Sequence, residues 1–325
     1  MNSWNRNSVP IVRKGNRNNN WKIARKICAG PILSRLLVFV LFLLATGLGA
    51  APPLVETSWT ARNMHRKDVI LVDMSQSPTQ YERFHLPGAV YLPYYYLVRR
   101  LKKKGYPERL PNRLLFGLLG AIGISANAHV VIYDDIGGLE AGRLFWELER
   151  IGHRRVSVMN GGLVKWILEG RKVVNTPFRR KPVLYRPSGP GRANEARLKD
   201  VRRASTGASG SSLLLDVRTI EEYQGDLKKR RGGHVPGARW WEWDRALDVR
   251  RGFVLKKRER LIRSLKKAGL RDTNAPVILY CRSGHRAAQT YWTLRALGFK
   301  NVKLYPNSMN EYYRVKAPLR RGSRP

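Results

Sequence analysis

The chain has 325 residues, 43% of them hydrophobic and 26% charged, which suits about two domains with ordinary cores and excludes a disordered polypeptide. Its formal charge is +39, from 62 Lys and Arg against 23 Asp and Glu. Such an excess draws in small anions and anionic surfaces, but no zinc spacing, basic zipper or RNA-binding signature accompanies it, so no sequence-specific nucleic-acid reader is expected.

The first 35 residues hold eight basic residues and no acid; an apolar run follows at 36–44, then small residues to Ala51, before Pro52. A basic region, a short apolar region and a small-residue site read as a secretory signal peptide cut near Ala51, with retention as an N-terminal anchor the alternative. Either way the expected location is periplasmic or exported. Cys28 precedes the apolar run, so it is not a lipoprotein cysteine and leaves with the leader. Cys281 then remains as a lone thiol in a compartment that favours disulfides, which makes it reactive or hidden. Without the first 51 residues the charge is still +31, spread over runs such as Arg99-Arg100, Lys102-Lys103-Lys104, Lys228-Lys229-Arg230-Arg231 and Lys256-Lys257-Arg258. An anionic membrane surface is one partner such a charge suits; a solvated cationic surface is the plain alternative.

The remainder is a repeat. Val69-Ile70-Leu71-Val72-Asp73 pairs with Leu213-Leu214-Leu215-Asp216-Val217, and His85-Leu86-Pro87-Gly88-Ala89 with His234-Val235-Pro236-Gly237-Ala238. Val130-Val131-Ile132-Tyr133-Asp134-Asp135 parallels Val277-Ile278-Leu279-Tyr280-Cys281; Trp146 parallels Trp292, and Gly161-Gly162 with Trp166 parallel Asn307-Ser308 with Tyr312. Short β-branched runs alternate with helical patterns, which predicts two α/β domains, each a mostly parallel sheet flanked by helices. The predicted division is 52–174, a Pro/Gly/Arg-rich linker over 175–196 draped on the first domain, and 197–325.

The second copy contains the chemistry. Residues 277–298, VILYCRSGHRAAQTYWTLRALG, read as strand, loop and helix. A cysteine at the end of a strand, just before a helix, sits where N–H groups converge and the helix dipole is positive, which favours thiolate. Arg282, Ser283, Gly284, His285, Arg286 and Ala287 complete the loop: Gly284 permits the tight turn, Arg282 and Arg286 add permanent cations and His285 a titratable ring. At the position matching Cys281 the first copy is read as having Asp135, within Asp134-Asp135-Ile136-Gly137-Gly138-Leu139-Glu140. Three carboxylates and no sulfur make that copy silent.

Residues 281–286 and their flanks resemble the active-site loop of the rhodaneses, the thiosulfate and mercaptopyruvate sulfurtransferases. The likeness extends to Leu304-Tyr305-Pro306-Asn307-Ser308-Met309-Asn310-Glu311-Tyr312, similar to the family's LYDGSWxEW segment, with Met309 in place of its tryptophan and Pro306-Asn307 in place of Asp-Gly. Asp216-Val217-Arg218 with Glu221-Glu222-Tyr223 resembles a DxR…EEY segment that pairs a carboxylate with a guanidinium to fix the strand end. His85 and His234 read as fold markers because the silent copy keeps its own. Trp240, Trp241 and Trp243 wall the pocket or fill the core.

The resemblance implies a Cys281 persulfide, formed from a small anionic sulfur donor and discharged to cyanide or a thiol, with no metal or organic cofactor. Arg286 would neutralise the donor's oxyanions, Arg282 would guide anions in, and the 283–287 amides would hold the persulfide charge. An Arg-rich loop favours thiosulfate over mercaptopyruvate, whose enzymes often carry Cys-Gly-Ser-Gly. Cysteine phosphatases share the chemistry but use Cys-x5-Arg, one residue longer than the spacing here. A cationic envelope binding or sulfur-carrier protein is the non-catalytic alternative.

Overall fold

The computed structural model describes residues 49–100, 105–187, 189–208, 210–225 and 232–325. Cys28, nearly all of the leader or anchor segment, and the basic residues 102–104 and 228–231 lie outside the described residues. Among the described residues no helix is long and apolar enough to cross a membrane.

The first domain runs β1 (Leu54–Val55), α1 (Thr57–Asn63), β2 (Val69–Asp73), α2 (Pro78–Arg83), β3 (Val90–Tyr91), β4 (Val98–Arg100), β5 (Pro107–Arg109), α3 (Asn112–Ala121), β6 (His129–Tyr133), α4 (Ala141–Arg150), β7 (Val156–Met159) and α5 (Gly162–Leu168). Its main sheet has the order β1-β7-β6-β2-β3, all parallel. The second domain runs α6 (Leu198–Ser205), β8 (Leu213–Asp216), α7 (Ile220–Gln224), β9 (Arg239–Trp240), β10 (Leu247–Asp248), β11 (Val254–Leu255), α8 (Arg258–Lys267), β12 (Val277–Tyr280), α9 (His285–Ala296), β13 (Val302–Leu304) and α10 (Ser308–Arg314). Its sheet, β13-β12-β8-β9, is likewise parallel. Central strands VILVD (β2) and HVVIY (β6) are buried along their whole length, as a parallel sheet covered on both faces requires.

The domains meet through α4 and α9. Gly142 allows the approach, since a Cβ there would lie 2.8 Å from the backbone of Ala288 and Gln289. Every residue of α9 from Ala287 to Leu294 is buried, so the helix has no solvent face there. Two indoles fasten the contact reciprocally. Trp146 donates to Asn194 O (3.1 Å) and Trp292 to Pro53 O (2.8 Å), and each carbonyl also accepts a strand N–H in its own domain, from Leu304 and Val158 respectively.

The linker lies on the first domain up to Tyr185, while its end pairs with the second, where Glu195 bridges Leu304 and the Ala196 N–H donates to Leu304 O. The Phe178 N–H donates to Tyr81 Oη (3.0 Å), the Val183 N–H to Gly120 O (2.9 Å), and buried Tyr185 is 3.1 Å from His153 Nδ1. His85 and His234 stack on Tyr81 and Tyr223 at 3.8 and 3.7 Å and bond those residues' carbonyls, one histidine per domain in the same role. Asp216 and Arg218 form the expected buried pair, and the Arg218 guanidinium also donates to Gly233 O. Trp241 is fully buried with its indole donating to Ser264 Oγ, so it belongs to the core; Trp240 and Trp243 are half-buried.

Candidate active site

Strand β12 ends at Tyr280 and Cys281 follows immediately, 1% exposed and with a free thiol. Four residues later α9 begins, so Cys281 faces the turn of α9 whose first N–H groups have no partner within the helix. Gly284 is the N-cap at φ 80°, and a Cβ there would collide with Pro306 O. Only glycine fits, and the loop conformation follows from it.

The thiol's backbone is held from the far side of the strand. The Cys281 N–H donates to Ser308 Oγ (3.1 Å), Ser308 Oγ donates to Tyr305 O (2.7 Å), and the Met309 N–H donates to Cys281 O (3.1 Å). Ser308 is buried and left-handed (φ 49°), a conformation costly for a residue with a Cβ. The first domain places Gly162 at the matching position, where Leu163 N–H donates to Asp134 O. The strained serine is therefore specific to the copy with the cysteine.

Strand register corrects the sequence alignment of the two copies. Asp73 pairs with Tyr133 and Asp216 with Tyr280, so the residue after each tyrosine is equivalent, and Asp134 rather than Asp135 matches Cys281. The Asp134 carboxylate accepts four backbone N–H groups, from Ile136 (3.1 Å), Gly138 (2.8 Å), Glu140 (2.9 Å) and Ala141 (3.0 Å). Burial raises its pKa to about 6 against the pull of these bonds. The first domain's anion nest is thus filled by its own side chain. Two adjacent aspartates made the register ambiguous in sequence, and the first loop is longer, reaching its helix at Ala141 rather than four residues after the strand-end residue.

Both titratable side chains at the start of α9 are engaged by carboxylates. Arg286 makes a two-pronged bond to Glu222, Nη1 to Oε2 at 2.5 Å and Nη2 to Oε1 at 3.0 Å. Burial would raise Glu222, but the Arg286 fork overrides it and holds the carboxyl below the usual range. Burial would lower Arg286, yet the Glu222 bond outweighs it and raises the guanidinium. His285 Nε2 lies 2.9 Å from Glu140 Oε2, and its ring stacks on Tyr94 (centroids 4.2 Å apart). Both partners come from the first domain. Burial raises Tyr94 against the opposing charge of Arg143. Arg282 is exposed and takes part in no ion pair among the described residues.

All seven sequence-predicted residues, 281 to 287, therefore sit at one strand-to-helix junction, with 281–284 in the loop and 285–287 in the first turn of α9. Sequence reasoning missed Ser308, Glu222, Glu140 and Tyr94 as neighbours of it. Glu222 had a local signal, because it closes a capping box with Thr219 at the start of α7. Glu140 and Tyr94 had none, since their contact crosses between the domains.

A family model described as the Rhodanese-like domain matches residues 56–169 and 199–314. The chain belongs to the rhodanese family. A curated relative from Azotobacter vinelandii, named thiosulfate sulfurtransferase, is 31% identical to this rhodanese over 272 residues, covering 80% of this chain and 94% of the relative. Among solved structures, a 3-mercaptopyruvate sulfotransferase from Escherichia coli superposes with a TM-score of 0.67 at 23% identity, over 79% of this chain and 99% of that one. The 3-mercaptopyruvate sulfurtransferase from Leishmania major gives 0.66 at 19%, over 81% and 74%. Those two likenesses establish the shared rhodanese fold.

Proposed function

We propose that this rhodanese is a sulfurtransferase that takes sulfane sulfur from thiosulfate onto Cys281 and passes it to a thiophilic acceptor such as cyanide or a thiol. The observation that carries this reading is the placement of Cys281: a buried, unpaired thiol at the N-terminal turn of α9, in the position that an internal carboxylate fills in the first domain. A place that holds a carboxylate in one copy suits a thiolate and then a persulfide in the other.

The Cys281 thiolate attacks the outer sulfur of thiosulfate, the S–S bond breaks, and sulfite leaves with the electron pair, giving the Cys281 persulfide anion. Cyanide then attacks the outer persulfide sulfur and departs as thiocyanate, which returns the thiolate. The N–H groups of residues 283–287 hold the persulfide charge, Arg286 meets the donor's oxyanion in competition with Glu222, and Arg282 draws anions to the mouth.

The test is intact mass of the protein after thiosulfate treatment beside Cys281→Ser, with thiocyanate production from cyanide followed in both. A gain of one sulfur on the wild type only, with thiocyanate formed, is expected. No gain with thiosulfate but a gain with 3-mercaptopyruvate would reassign the donor; no gain with either would remove the catalytic reading.

A further inference from the structure

Helix α3 has the sequence NRLLFGLLGA, with no charge after Arg113. A helix on the surface of a globular protein ordinarily turns a polar face outward. Here the inner face, Leu115 and Leu119, is buried, and the outer face is apolar as well: Leu114 is 48% exposed, Gly117 and Ala121 are exposed, and Leu118 is half-buried. These four positions follow the i, i+3, i+4, i+7 spacing of one helix face.

The linker extends this face. The Val183–Gly120 hydrogen bond lays the strap beside α3, with Val183 40% and Leu184 78% exposed, and a cavity of about 590 Å³ continues past Ala121 and Pro182 to Phe178, 41% exposed. Four of the eleven exposed large hydrophobic residues among the described residues thus share one surface. Around them stand Arg113, Arg179, Arg180, Lys181 and Arg186, none in an ion pair among the described residues. Among the described residues that line the cavity, Glu82 is the one carboxylate.

Exposed leucine, valine and phenylalanine interleaved with unpaired arginine and lysine match the headgroup zone of a bilayer, where apolar side chains enter the acyl boundary and cations meet anionic lipid. A nucleic acid would use the cations and leave the aliphatic residues idle. We propose that α3 and the strap 178–186 form a surface that rests on an anionic bilayer. The proposal does not depend on the sulfurtransferase reading.

The test uses the full chain with Cys28→Ser and Cys281→Ser, and one reporter cysteine at a time: Leu114→Cys or Leu184→Cys on the surface, Leu168→Cys or Val249→Cys as controls. Leu168 ends α5, whose Trp166 packs on the opposite side of the first sheet from α3. Each cysteine carries an environment-sensitive dye and is mixed with vesicles of brominated phosphatidylcholine containing roughly one-third phosphatidylglycerol. Comparing four sites reports which face meets lipid, whatever the first 48 residues themselves bind. Quenching at 114 and 184, several-fold above 168 and 249, is expected. Equal quenching at all four, or none at 114 and 184, overturns the proposal. Quenching at 114 and 184 that is unchanged with phosphatidylcholine alone overturns the role given to the cations. A concentration-dependent dye shift at 114 and 184 without lipid would show the face covered by a second copy instead, and would also overturn it.

Discussion

The carboxylate of Asp134 in the first domain occupies the place of the Cys281 thiol in the second, each following a tyrosine in register with a buried aspartate of the neighbouring strand. The consequence is that the first loop is organised by an internal anion. Its Gly138 N–H bonds Asp134 while its Cα lies against the Trp292 ring, which a Cβ would strike at 2.7 Å, so the silent loop is a seat for α9. Asp134→Ala leaves four donors without an acceptor, three of them buried and the Ile136 N–H partly so, and even with relaxation we expect a loss of about 3 kcal/mol, from ~1–3 kcal/mol per orphaned group. Because the Glu140 N–H is one of the four, the variant also loosens the partner of His285. Urea unfolding should show the stability loss, and thiocyanate formation by the folded protein should fall; unchanged unfolding would mean that the nest has no structural role.

Buried histidines of the first domain make stability depend on pH. Burial lowers His129 and His153 from 6.5 to about 4, so between those values the unfolded chain binds protons that the folded chain refuses. Their contribution is present above pH 6.5 and is lost as pH falls toward 4. Asp73 and Asp134, raised by burial to about 6, act in the opposite sense, gaining stability over the same fall. A single variant separates the two. His153→Gln loses the bonds to Tyr185 Oη and Ala128 O, so it is less stable than wild type at pH 7. The gap should narrow by ~2–3 kcal/mol at pH 4, because a shift of one unit corresponds to 1.36 kcal/mol. A gap independent of pH in paired urea melts would show that His153 is charged in the fold.

The parallel sheets, the repeat and the loop carrying Cys281 were legible in the sequence because each rests on local pattern: β-branched runs, the paired His-x-Pro-Gly turns, and a cysteine between a strand and a helix. The register of Asp134 was not, because Asp134 and Asp135 are chemically alike and only strand pairing tells them apart. Nor were the partners of the loop. Glu140 lies 145 positions from His285 and Glu222 lies 64 from Arg286, and no spacing rule connects residues that meet only after the chain folds. In sequence Glu140 reads as part of a repelling acidic cluster; in the fold it is a ligand of the loop it was expected to be unlike.

Ser308 stores strain next to the thiol. Its hydroxyl bridges the Cys281 N–H and the Tyr305 carbonyl, and its φ of 49° is one that glycine adopts freely. Two variants separate these effects. Ser308→Ala keeps the strain and leaves the Cys281 N–H unpaired, which costs about 1–3 kcal/mol. Ser308→Gly also loses the bridge but relieves the backbone, so it should be more stable than Ser308→Ala by ~1 kcal/mol. Both should slow persulfide formation similarly, roughly tenfold, because the lost bond is common to both. Stopped-flow sulfite release and thermal melts decide it; equal activity to wild type in Ser308→Gly would make the serine a packing residue only.

Arg286 and Glu222 give the most direct reading of donor binding. Without donor the guanidinium is held by two prongs on one carboxylate, so a thiosulfate oxyanion and Glu222 compete for the same fork. Removing the cation in Arg286→Ala deletes a charge-assisted hydrogen bond worth about 1.5–3 kcal/mol, which corresponds to one to two decades in kcat/KM. Glu222→Gln retains the shape and one acceptor while removing the competing charge. It should lower KM for thiosulfate by roughly three- to tenfold with little change in kcat, because the interaction it relieves is made in the ground state. The double variant should behave as Arg286→Ala alone, since Glu222 then has no cation to withhold. Steady-state kinetics of the three proteins test the competition. A raised KM in Glu222→Gln would mean that the carboxylate aims Arg286 at the donor, and an unchanged kcat/KM in Arg286→Ala would take the arginine out of the mechanism.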